Sequence, residues 1–406
     1  MKTIYLILIL CISGLVCSCG GTQPAVAVSP VDTDVNDIAT ESNSEKPMQQ
    51  ISPSNPMIKY TGRVDFSNAD APSFSFPGVS VSVRFTGTRL TVLLEDNAIR
   101  QDVDTTNYFN VVVDDDAPVL LKTLPAQKEY VLAENLGDGE HTVTLFKRSE
   151  SSHGDDLNVG KVTIHGFILS PDATLLPPIA RDLQMEFIGD SITCGYGNEL
   201  AVDNPVDNHF TTLNSNAWNA FGAVAARQLN ADYVAVAYSG RGVVRNYAGD
   251  ASPTVPDIYL TTLPDDPDAA EWNPAKYRPD IVVINLGTND FSEGLKPGKA
   301  IDALEHDFAL RYETFMQELL GFYPAATFIL TIGPMLSDGF PEKYKALTRV
   351  RRTLQKLVKN LNATGNANVY LLELTPQSAP FGEDFHPTVA THQRMADELM
   401  AFIKGI

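Results

Sequence analysis

Hydrophobic and polar positions alternate with a period of two through much of residues 57–172. The clearest stretches are residues 79–85, 141–146 and 162–164, and short apolar runs such as 108–113 lie between Gly, Asp, Asn and Pro clusters. Successive strand side chains point to opposite faces, so this alternation is typical of strands with one buried face. Gly, Asp, Asn and Pro favour turns. We predict an antiparallel β-sandwich, jelly-roll-like in type, over residues 57–172.

A different pattern begins near residue 183, where apolar runs alternate with stretches of helical periodicity. The predicted strands are residues 183–188, 233–238, 281–286, 327–332 and 369–374. The predicted helices are residues 217–229, 300–321, 342–361 and 389–403. Alternating strands and helices predict a central parallel sheet with helices on both faces, a three-layer α/β domain over residues 173–406. Ligands bind at the carboxyl ends of such strands.

The first 19 residues have the pattern of an export signal. Lys2 precedes thirteen mainly apolar residues, 4–16, fewer than the ~20 that span a membrane. The segment ends in small residues at Cys19, which resembles the lipobox of bacterial lipoproteins with Cys19 as the acylated residue. Cys17 is the weaker candidate for acylation, and a plain signal peptide is the alternative. We expect an exported, membrane-anchored bacterial lipoprotein at the periplasmic face or the cell surface.

Residues 20–56 follow the signal and contain no Leu, Phe, Tyr or Trp but five prolines. Such a segment buries too little apolar area to offset the entropy lost on ordering. We therefore predict a flexible tether over residues 20–56, between the lipid anchor and the sandwich.

The composition of the chain disfavours several classes of partner and cofactor. The sequence has 50 acidic and 30 basic residues, a formal net charge of −20, and no basic cluster. This charge disfavours nucleic acid and anionic membrane surfaces, so we expect no nucleic-acid partner and membrane contact only through the lipid anchor. Cys194 is the only cysteine beyond the export segment, and no zinc-type ligand spacing occurs. We therefore expect no internal disulfide, no metal and no other cofactor.

Four loops of the α/β domain carry candidate catalytic residues. Ser191 lies in Gly-Asp-Ser after the first strand, Gly240 in Ser-Gly-Arg-Gly after the second, and Asn289 in Gly-Thr-Asn-Asp after the third. His386 lies in Glu-Asp-Phe-His-Pro, between the last strand and the last helix. Each segment alone is weak evidence, because such sequences also form ordinary turns and caps. Their joint occurrence in this order favours one active site at the carboxyl ends of the strands.

A serine hydroxyl becomes a nucleophile only beside a base, and seven histidines are candidates. Five of them lie in the predicted sandwich or in predicted helices, which leaves His209 and His386 in loops of the α/β domain. Of these two, only His386 follows a pair of adjacent carboxylates, Glu383 and Asp384. A carboxylate orients an imidazole and stabilises its protonated form. The sequence therefore favours Ser191 as nucleophile and His386 as base.

Acyl transfer also requires hydrogen-bond donors for the developing oxyanion. The backbone N–H groups of Ser191 and Gly240 and the side chain of Asn289 are the expected donors. Gly240 suits this role because a residue without Cβ lets its amide approach the substrate closely.

The segments around these four residues resemble the four blocks of the SGNH (GDSL-like) hydrolases. Residues 188–197, 239–247 and 384–387 look more narrowly like carbohydrate esterase family 2, whose members join a β-sandwich to an SGNH domain. The resemblance covers nearly everything after the tether. It implies a serine esterase that removes acetyl groups from xylan, glucomannan and related polysaccharides through an acyl-enzyme, without a metal.

One position departs from the general SGNH pattern, which has Asp three residues before the catalytic His. Glu383 holds that position here, whereas the narrower family has Asp two residues before His, which is Asp384. The resemblance also includes members in which a backbone carbonyl orients the base. We therefore predict Asp384 as the third triad member, with Glu383 next and a backbone carbonyl as the remaining alternative.

Two aromatic residues are candidates for substrate binding. Phe385 precedes the base and matches aromatics that flank the sugar in the resembled family, with a core position as the alternative. Trp272 lies in the acidic, Pro-containing loop 265–274. We consider it a second candidate for lining the cleft, with a loop anchor as the alternative.

Competing functions use the same residues or the same cleft. An SGNH lipase, a thioesterase or a peptidoglycan O-acetyl esterase would share the catalytic set but act on another ester. A non-catalytic carbohydrate-binding lipoprotein would use the cleft without chemistry, and the intact Ser, His and Asn set argues against it. The sequence has no paired His/Asp motif at metal-ligand spacing, which disfavours a metal-dependent deacetylase. The expected partner is an acetylated polysaccharide or oligosaccharide.

Overall fold

A computed structural model describes residues 46–98, 105–151, 160–200, 209–295, 300–365 and 368–406. Residues Lys46–Ile406 form one compact unit. The predicted export signal, Cys19 and most of the predicted tether lie outside the described residues.

The first part of this unit is the predicted antiparallel β-sandwich. One sheet contains β1 (Gln49–Ile51), β3 (Ser73–Phe74), β5 (Leu90–Asp96), β8 (Glu129–Ala133) and β10 (Val162–Leu169). The other contains β2 (Ile58–Thr61), β4 (Ser80–Thr86), β6 (Tyr108–Val113), β7 (Val119–Lys122), β9 (Glu140–Lys147) and β11 (Thr174–Leu176). The alternation in β4 has its predicted consequence: Val81, Val83 and Phe85 are buried while the residues between them are not.

Two edge strands extend the sandwich beyond the predicted limits of 57 and 172. β1 pairs with β10, so residues 49–51 belong to a sheet, although they fall within the tether predicted over residues 20–56. β11 pairs with β4, so residues 174–176 belong to the sandwich and not to the α/β domain. Each strand has three residues, too few for a period-two pattern to be visible in the sequence.

A five-stranded parallel sheet forms the centre of the second domain, in the order β13-β12-β14-β15-β16. Its strands are β12 (Leu183–Gly189), β13 (Ala231–Ala237), β14 (Ile281–Asn285), β15 (Thr327–Ile332) and β16 (Val369–Glu373). Gly189 lies opposite both Ala237 and Asn285, so β12, β13 and β14 end side by side. The loops that carry the candidate residues therefore leave the same edge of the sheet.

Helices cover both faces of this sheet. They are α1 (Ser191–Cys194), α2 (Phe221–Gln228), α3 (Val255–Ile258), α4 (Ile301–Phe322), α5 (Ala346–Ala363) and α6 (Val389–Ile403). Buried residues of α4 and α5 pack with Ile188 on one face, and those of α2 and α6 pack with Phe187 on the other. The three-layer α/β arrangement is therefore as predicted. Among the described helices, none has the length and apolar character needed to cross a membrane.

α5 begins four residues later than the predicted helix 342–361. Lys343 and Lys345 have φ angles of 72° and 53°, outside the right-handed helical region, so regular helix can begin only after them. The predicted helix 217–229 is divided in a similar way, into a 3₁₀ turn (Ala217–Asn219) and α2, with extended backbone at Ala220.

The sandwich and the α/β domain share a buried boundary. Arg63 of the sandwich is fully buried and donates to the Glu186 carboxylate of β12 at 2.8 Å. The Phe146 ring of β9 packs edge-on against Trp218 at 5.1 Å between centroids. A buried ion pair and an aromatic contact therefore join the sandwich to the α/β domain.

Candidate active site

The structure brings the side chains of Ser191 and His386 into contact. Ser191 is the first residue of α1, and the Asp190 side chain caps this helical turn by accepting from the Ile192 N–H at 3.1 Å. The Ser191 hydroxyl lies 2.7 Å from His386 Nε2. Gly189 permits this sharp turn, because a Cβ there would lie 2.0 Å from Thr193 Oγ1.

The group that orients the His386 imidazole, the third member of the catalytic triad, is a peptide carbonyl. His386 Nδ1 lies 3.0 Å from the backbone oxygen of Glu383, so Nδ1 carries the proton and donates to it. Nε2 is then unprotonated and accepts the hydrogen bond from the Ser191 hydroxyl. Our first two assignments, the carboxylates of Asp384 and Glu383, do not match this contact, and the remaining alternative, a backbone carbonyl, does.

The Asp384 carboxylate makes a different contact. It accepts a hydrogen bond from the Tyr196 hydroxyl at 2.6 Å, and the Tyr196 ring stacks on the His386 imidazole with centroids 4.1 Å apart. Asp384 therefore acts on the base through Tyr196 and through its charge. Tyr196 is not among the residues predicted from the sequence, although it lies in the Gly-Tyr-Gly segment directly after α1.

The Glu383 carboxylate, too, binds residues other than His386. It is fully buried and accepts from the Thr211 N–H and hydroxyl, both at 2.8 Å, and from the Asn214 side chain at 2.6 Å. Burial raises the pKa of this carboxyl, opposed by the Asn214 and Thr211 donors. Glu383 thus offers its peptide oxygen to His386 while its side chain anchors the turn.

Backbone strain accompanies this turn. Asp384 and Phe385 have φ angles of 46° and 64°. Asp tolerates the left-handed region, whereas a bulky residue such as Phe adopts it rarely. The consequence is a kink that directs the Glu383 carbonyl toward His386 and leaves the Phe385 ring exposed.

The electrostatic setting keeps His386 neutral. Burial lowers its pKa to about 4, and the hydrogen bond that Nδ1–H donates to the Glu383 carbonyl and the charge of Asp384 act in the opposite direction. An imidazole with this pKa is unprotonated at neutral pH, which is the state a general base requires.

The two other predicted oxyanion donors lie on neighbouring loops. Gly240 follows β13 with a φ of +76°, a conformation that favours glycine. Asn289 follows β14, is buried, and its amide nitrogen donates to the Arg241 carbonyl at 2.9 Å and to Asp190 at 3.3 Å. These bonds orient the Asn289 amide at the edge of the sheet from which Ser191 also extends.

A buried carboxylate that the sequence analysis did not single out joins these loops. Asp290 accepts from the backbone N–H groups of Val243, Val244 and Arg245 at 2.8–3.0 Å. Burial raises its pKa to about 6, and the three N–H donors oppose the rise. The one signal for Asp290 in the sequence is its place as the fourth residue of Gly-Thr-Asn-Asp, a segment that also forms ordinary turns.

The two aromatic candidates have different surroundings. Phe385 is 63% exposed beside His386, with Phe381 packed edge-on at 5.9 Å. Trp272 instead packs 4.3 Å over the Arg63 guanidinium and lines a groove of about 390 Å³ between the sandwich and the α/β domain. Arg63 in turn pairs with Glu186, in the middle of β12. The structure thus places Trp272 in a packing contact with Arg63 at the boundary between the two domains.

Cys194 is fully buried in α1, three residues after the nucleophile, and burial raises its thiol pKa. Within the ranges that the structure describes, no group of three or more His, Cys, Asp or Glu side chains could hold a metal ion.

Comparison with known proteins agrees with this architecture. The family model described as "Carbohydrate esterase 2 N-terminal" matches residues 60–178, and that of the "GDSL-like Lipase/Acylhydrolase family" matches residues 187–394. The chain is 35% identical over 353 residues to the Cellulase/esterase CelE of Acetivibrio thermocellus, covering 86% of this chain and 40% of that protein. It is 28% identical over 407 residues to an "Acetylxylan esterase / glucomannan deacetylase" of Cellvibrio japonicus, covering 100% of this chain and 99% of that one. A second protein of that name from the same organism is 35% identical over 286 residues, covering 69% and 70%.

Solved structures show the same fold. A family two carbohydrate esterase from Clostridium thermocellum, in complex with cellohexaose, has a TM-score of 0.74 at 34% identity, covering 86% of this chain and 98% of that one. A family two carbohydrate esterase from Cellvibrio japonicus has a TM-score of 0.73 at 28% identity, covering 89% and 98%. The chain belongs to carbohydrate esterase family 2 and joins that family's N-terminal sandwich to a GDSL-like (SGNH) hydrolase domain.

Proposed function

We propose that this protein is a serine esterase that removes O-acetyl groups from plant-type polysaccharide such as xylan or glucomannan. The observation that carries the proposal is the 2.7 Å contact between the Ser191 hydroxyl and His386 Nε2, with Nδ1 fixed by a carbonyl. Membership of carbohydrate esterase family 2 supports the ester class. Two relatives named acetylxylan esterase / glucomannan deacetylase support the substrate.

The reaction follows from the geometry. His386 Nε2 takes the Ser191 proton while Oγ attacks the acetyl carbonyl, and the Glu383 carbonyl keeps the imidazole in the required tautomer. The N–H groups of Ser191 and Gly240 and the Asn289 amide stabilise the oxyanion. As the bond between the acetyl carbon and the sugar oxygen breaks, the protonated His386 gives its Nε2 proton to that oxygen, so the sugar leaves with a free hydroxyl and an acetyl-serine remains.

Deacylation repeats these steps with water in place of the serine. His386 Nε2, neutral again after it has protonated the sugar, removes a proton from water as the water oxygen attacks the acetyl-serine carbonyl. Acetate leaves as the proton returns to Ser191 Oγ. No step requires a group beyond this chain and water.

The exposed Phe385 ring provides a stacking surface for the sugar that carries the acetyl group. It lies directly beside the base, and aromatic rings offer large apolar faces at low entropic cost. We expect Phe385→Ala to raise the KM for acetylated polysaccharide several-fold and to leave the KM for a small aryl acetate within about twofold. Equal KM changes for both substrates would contradict this role.

The substrate class is tested by acetate release from acetylated xylan, acetylated glucomannan and O-acetylated peptidoglycan. We expect release from the plant-type polymers and little from peptidoglycan. Aryl acetate and aryl octanoate provide the second comparison, since an acetyl esterase prefers acetate and a lipase prefers octanoate. Release from peptidoglycan alone, or a preference for octanoate, would favour the alternative esterases.

A purely binding function is tested with a serine-directed phosphonate. The proposal predicts a covalent adduct on Ser191 and loss of acetate release. A carbohydrate-binding protein without catalysis would form no adduct while retaining glycan affinity.

We also propose that the protein is exported and held at a bacterial membrane by lipid on Cys19. The support is the sequence alone: thirteen mainly apolar residues that end in small residues before Cys19, followed by residues with little apolar content. Fatty-acid labelling of the wild type, and its loss in Cys19→Ala, test the proposal. Labelling that persists in Cys19→Ala and disappears in Cys17→Ala would transfer the anchor to Cys17.

A further inference from the structure

Arg148, directly after strand β9 of the sandwich, reaches into the α/β domain. It is buried, and its guanidinium donates to the carbonyls of Leu213 and Ser215 at 2.7 and 3.4 Å. It also forms an ion pair with Glu199. Its own carbonyl accepts from the Ala217 N–H at 3.0 Å. One residue of the sandwich thus holds Glu199 and several points of residues 213–217.

A second sandwich residue holds the same segment. The Asn110 side chain of β6 is buried and donates to the Asn216 side chain at 3.1 Å. Asn110 also accepts from Arg148 at 3.3 Å, so the two residues support one another.

The segment that they hold is the one that fixes Glu383. Thr211 and Asn214 donate three hydrogen bonds to the buried Glu383 carboxylate, at 2.6–2.8 Å. Leu213 and Ser215, whose carbonyls Arg148 binds, flank Asn214 in the chain. The Glu383 carbonyl in turn holds His386 Nδ1. Hydrogen bonds, joined by the short stretch of backbone around Asn214 and by the Glu383 residue itself, therefore connect Arg148 with the base.

We propose that Arg148 is a positioning residue for His386, so that the β-sandwich is part of the catalytic apparatus. The inference rests on the proposed Ser191–His386 chemistry. Arg148 acts by fixing residues 211–215, which fix Glu383, whose carbonyl sets the tautomer and direction of the imidazole. Loss of Arg148 lets this segment shift, and small misplacements of a catalytic group reduce turnover strongly.

The first test is the kinetics of Arg148→Gln on an aryl acetate, a small substrate that reports on the acyl-transfer step without a polysaccharide chain. We expect kcat to fall about 10- to 100-fold with KM within about twofold, since the base is displaced while the acyl site remains. Arg89→Gln is the matched control, because Arg89 is a sandwich arginine in an exposed ion pair with Glu134. Its kcat should equal that of the wild type.

A double-mutant cycle separates positioning from general destabilisation. Arg148→Gln and Asn214→Ala both act through Glu383, so their effects on kcat should be clearly less than multiplicative when combined. Arg148→Gln and Asn289→Ala act on different groups, the base and the oxyanion, so their effects should multiply. Multiplicative effects in the first pair would overturn the proposal.

Asn110→Ala provides a milder perturbation of the same contact and decides the question if Arg148→Gln does not fold. It should lower kcat about 3- to 10-fold and couple to Asn214→Ala in the same way. Wild-type kcat in a folded Arg148→Gln or in Asn110→Ala would overturn the inference. An inactive wild-type enzyme would instead refute the proposed esterase function itself.

Discussion

Asp384→Asn distinguishes a carbonyl-oriented base from a carboxylate-oriented one. In the structure, Asp384 accepts a hydrogen bond from Tyr196 at 2.6 Å, and His386 Nδ1 is held by the Glu383 carbonyl at 3.0 Å. An asparagine oxygen can still accept from Tyr196, and Asn tolerates the left-handed backbone at this position. The substitution therefore removes a charge and leaves the orienting atom in place.

The expected magnitude follows from these contacts. A hydrogen bond to a charged group contributes about 1.5–3 kcal/mol and a neutral one about 0.5–1.5 kcal/mol, so the change costs about 1 kcal/mol. At about 1.4 kcal/mol per tenfold, kcat/KM should fall roughly fivefold. In a serine protease triad, replacing the orienting carboxylate by its amide lowers kcat about 10⁴-fold.

The assay is kcat/KM for an aryl acetate at neutral pH, with Asp172→Asn as a control because Asp172 is exposed and pairs only with Lys46 among the described residues. Circular dichroism should show an unchanged fold. A loss of 10³-fold or more in folded Asp384→Asn would refute the assignment of the orienting role to the Glu383 carbonyl.

Three further predictions follow from the same site. Because burial lowers the pKa of His386 to about 4 and the base must be neutral, kcat/KM should be retained above that pH and lost as pH falls through it; a midpoint near the ordinary value of about 6.5 would contradict this. Asn289→Ala should lower kcat about 10²- to 10³-fold on aryl acetate, and a change below fivefold would remove Asn289 from the oxyanion donors. Burial raises the pKa of the Cys194 thiol, so intact protein should resist iodoacetamide and react only after unfolding, as mass spectrometry would show; rapid alkylation of the native protein would count against the buried position.

The fold was largely predictable because its long elements have strong patterns. β4 shows clean alternation, and α4 repeats apolar residues every three or four positions. Short elements lack such a signal, which is why β1 and β11 were assigned to neighbouring segments. Their pairing depends on β10 and β4, residues distant in sequence.

The catalytic pair was predictable from residue type and position, whereas the contacts that orient His386 were not. Ser191 follows a strand end, and of the two loop histidines in the α/β domain only His386 follows a pair of adjacent carboxylates. Which oxygen meets Nδ1 depends on the φ angles at Asp384 and Phe385, and residue identity does not specify them. The role of Arg148 depends on the packing of one domain against another, which no local pattern records.

The most direct test of the central claim is acetate release from acetylated xylan and glucomannan by the wild type, Ser191→Ala and His386→Ala. The account predicts release by the wild type and a loss of at least about 10³-fold in each variant, with the fold unchanged. Wild-type acetate release by folded Ser191→Ala would contradict the account.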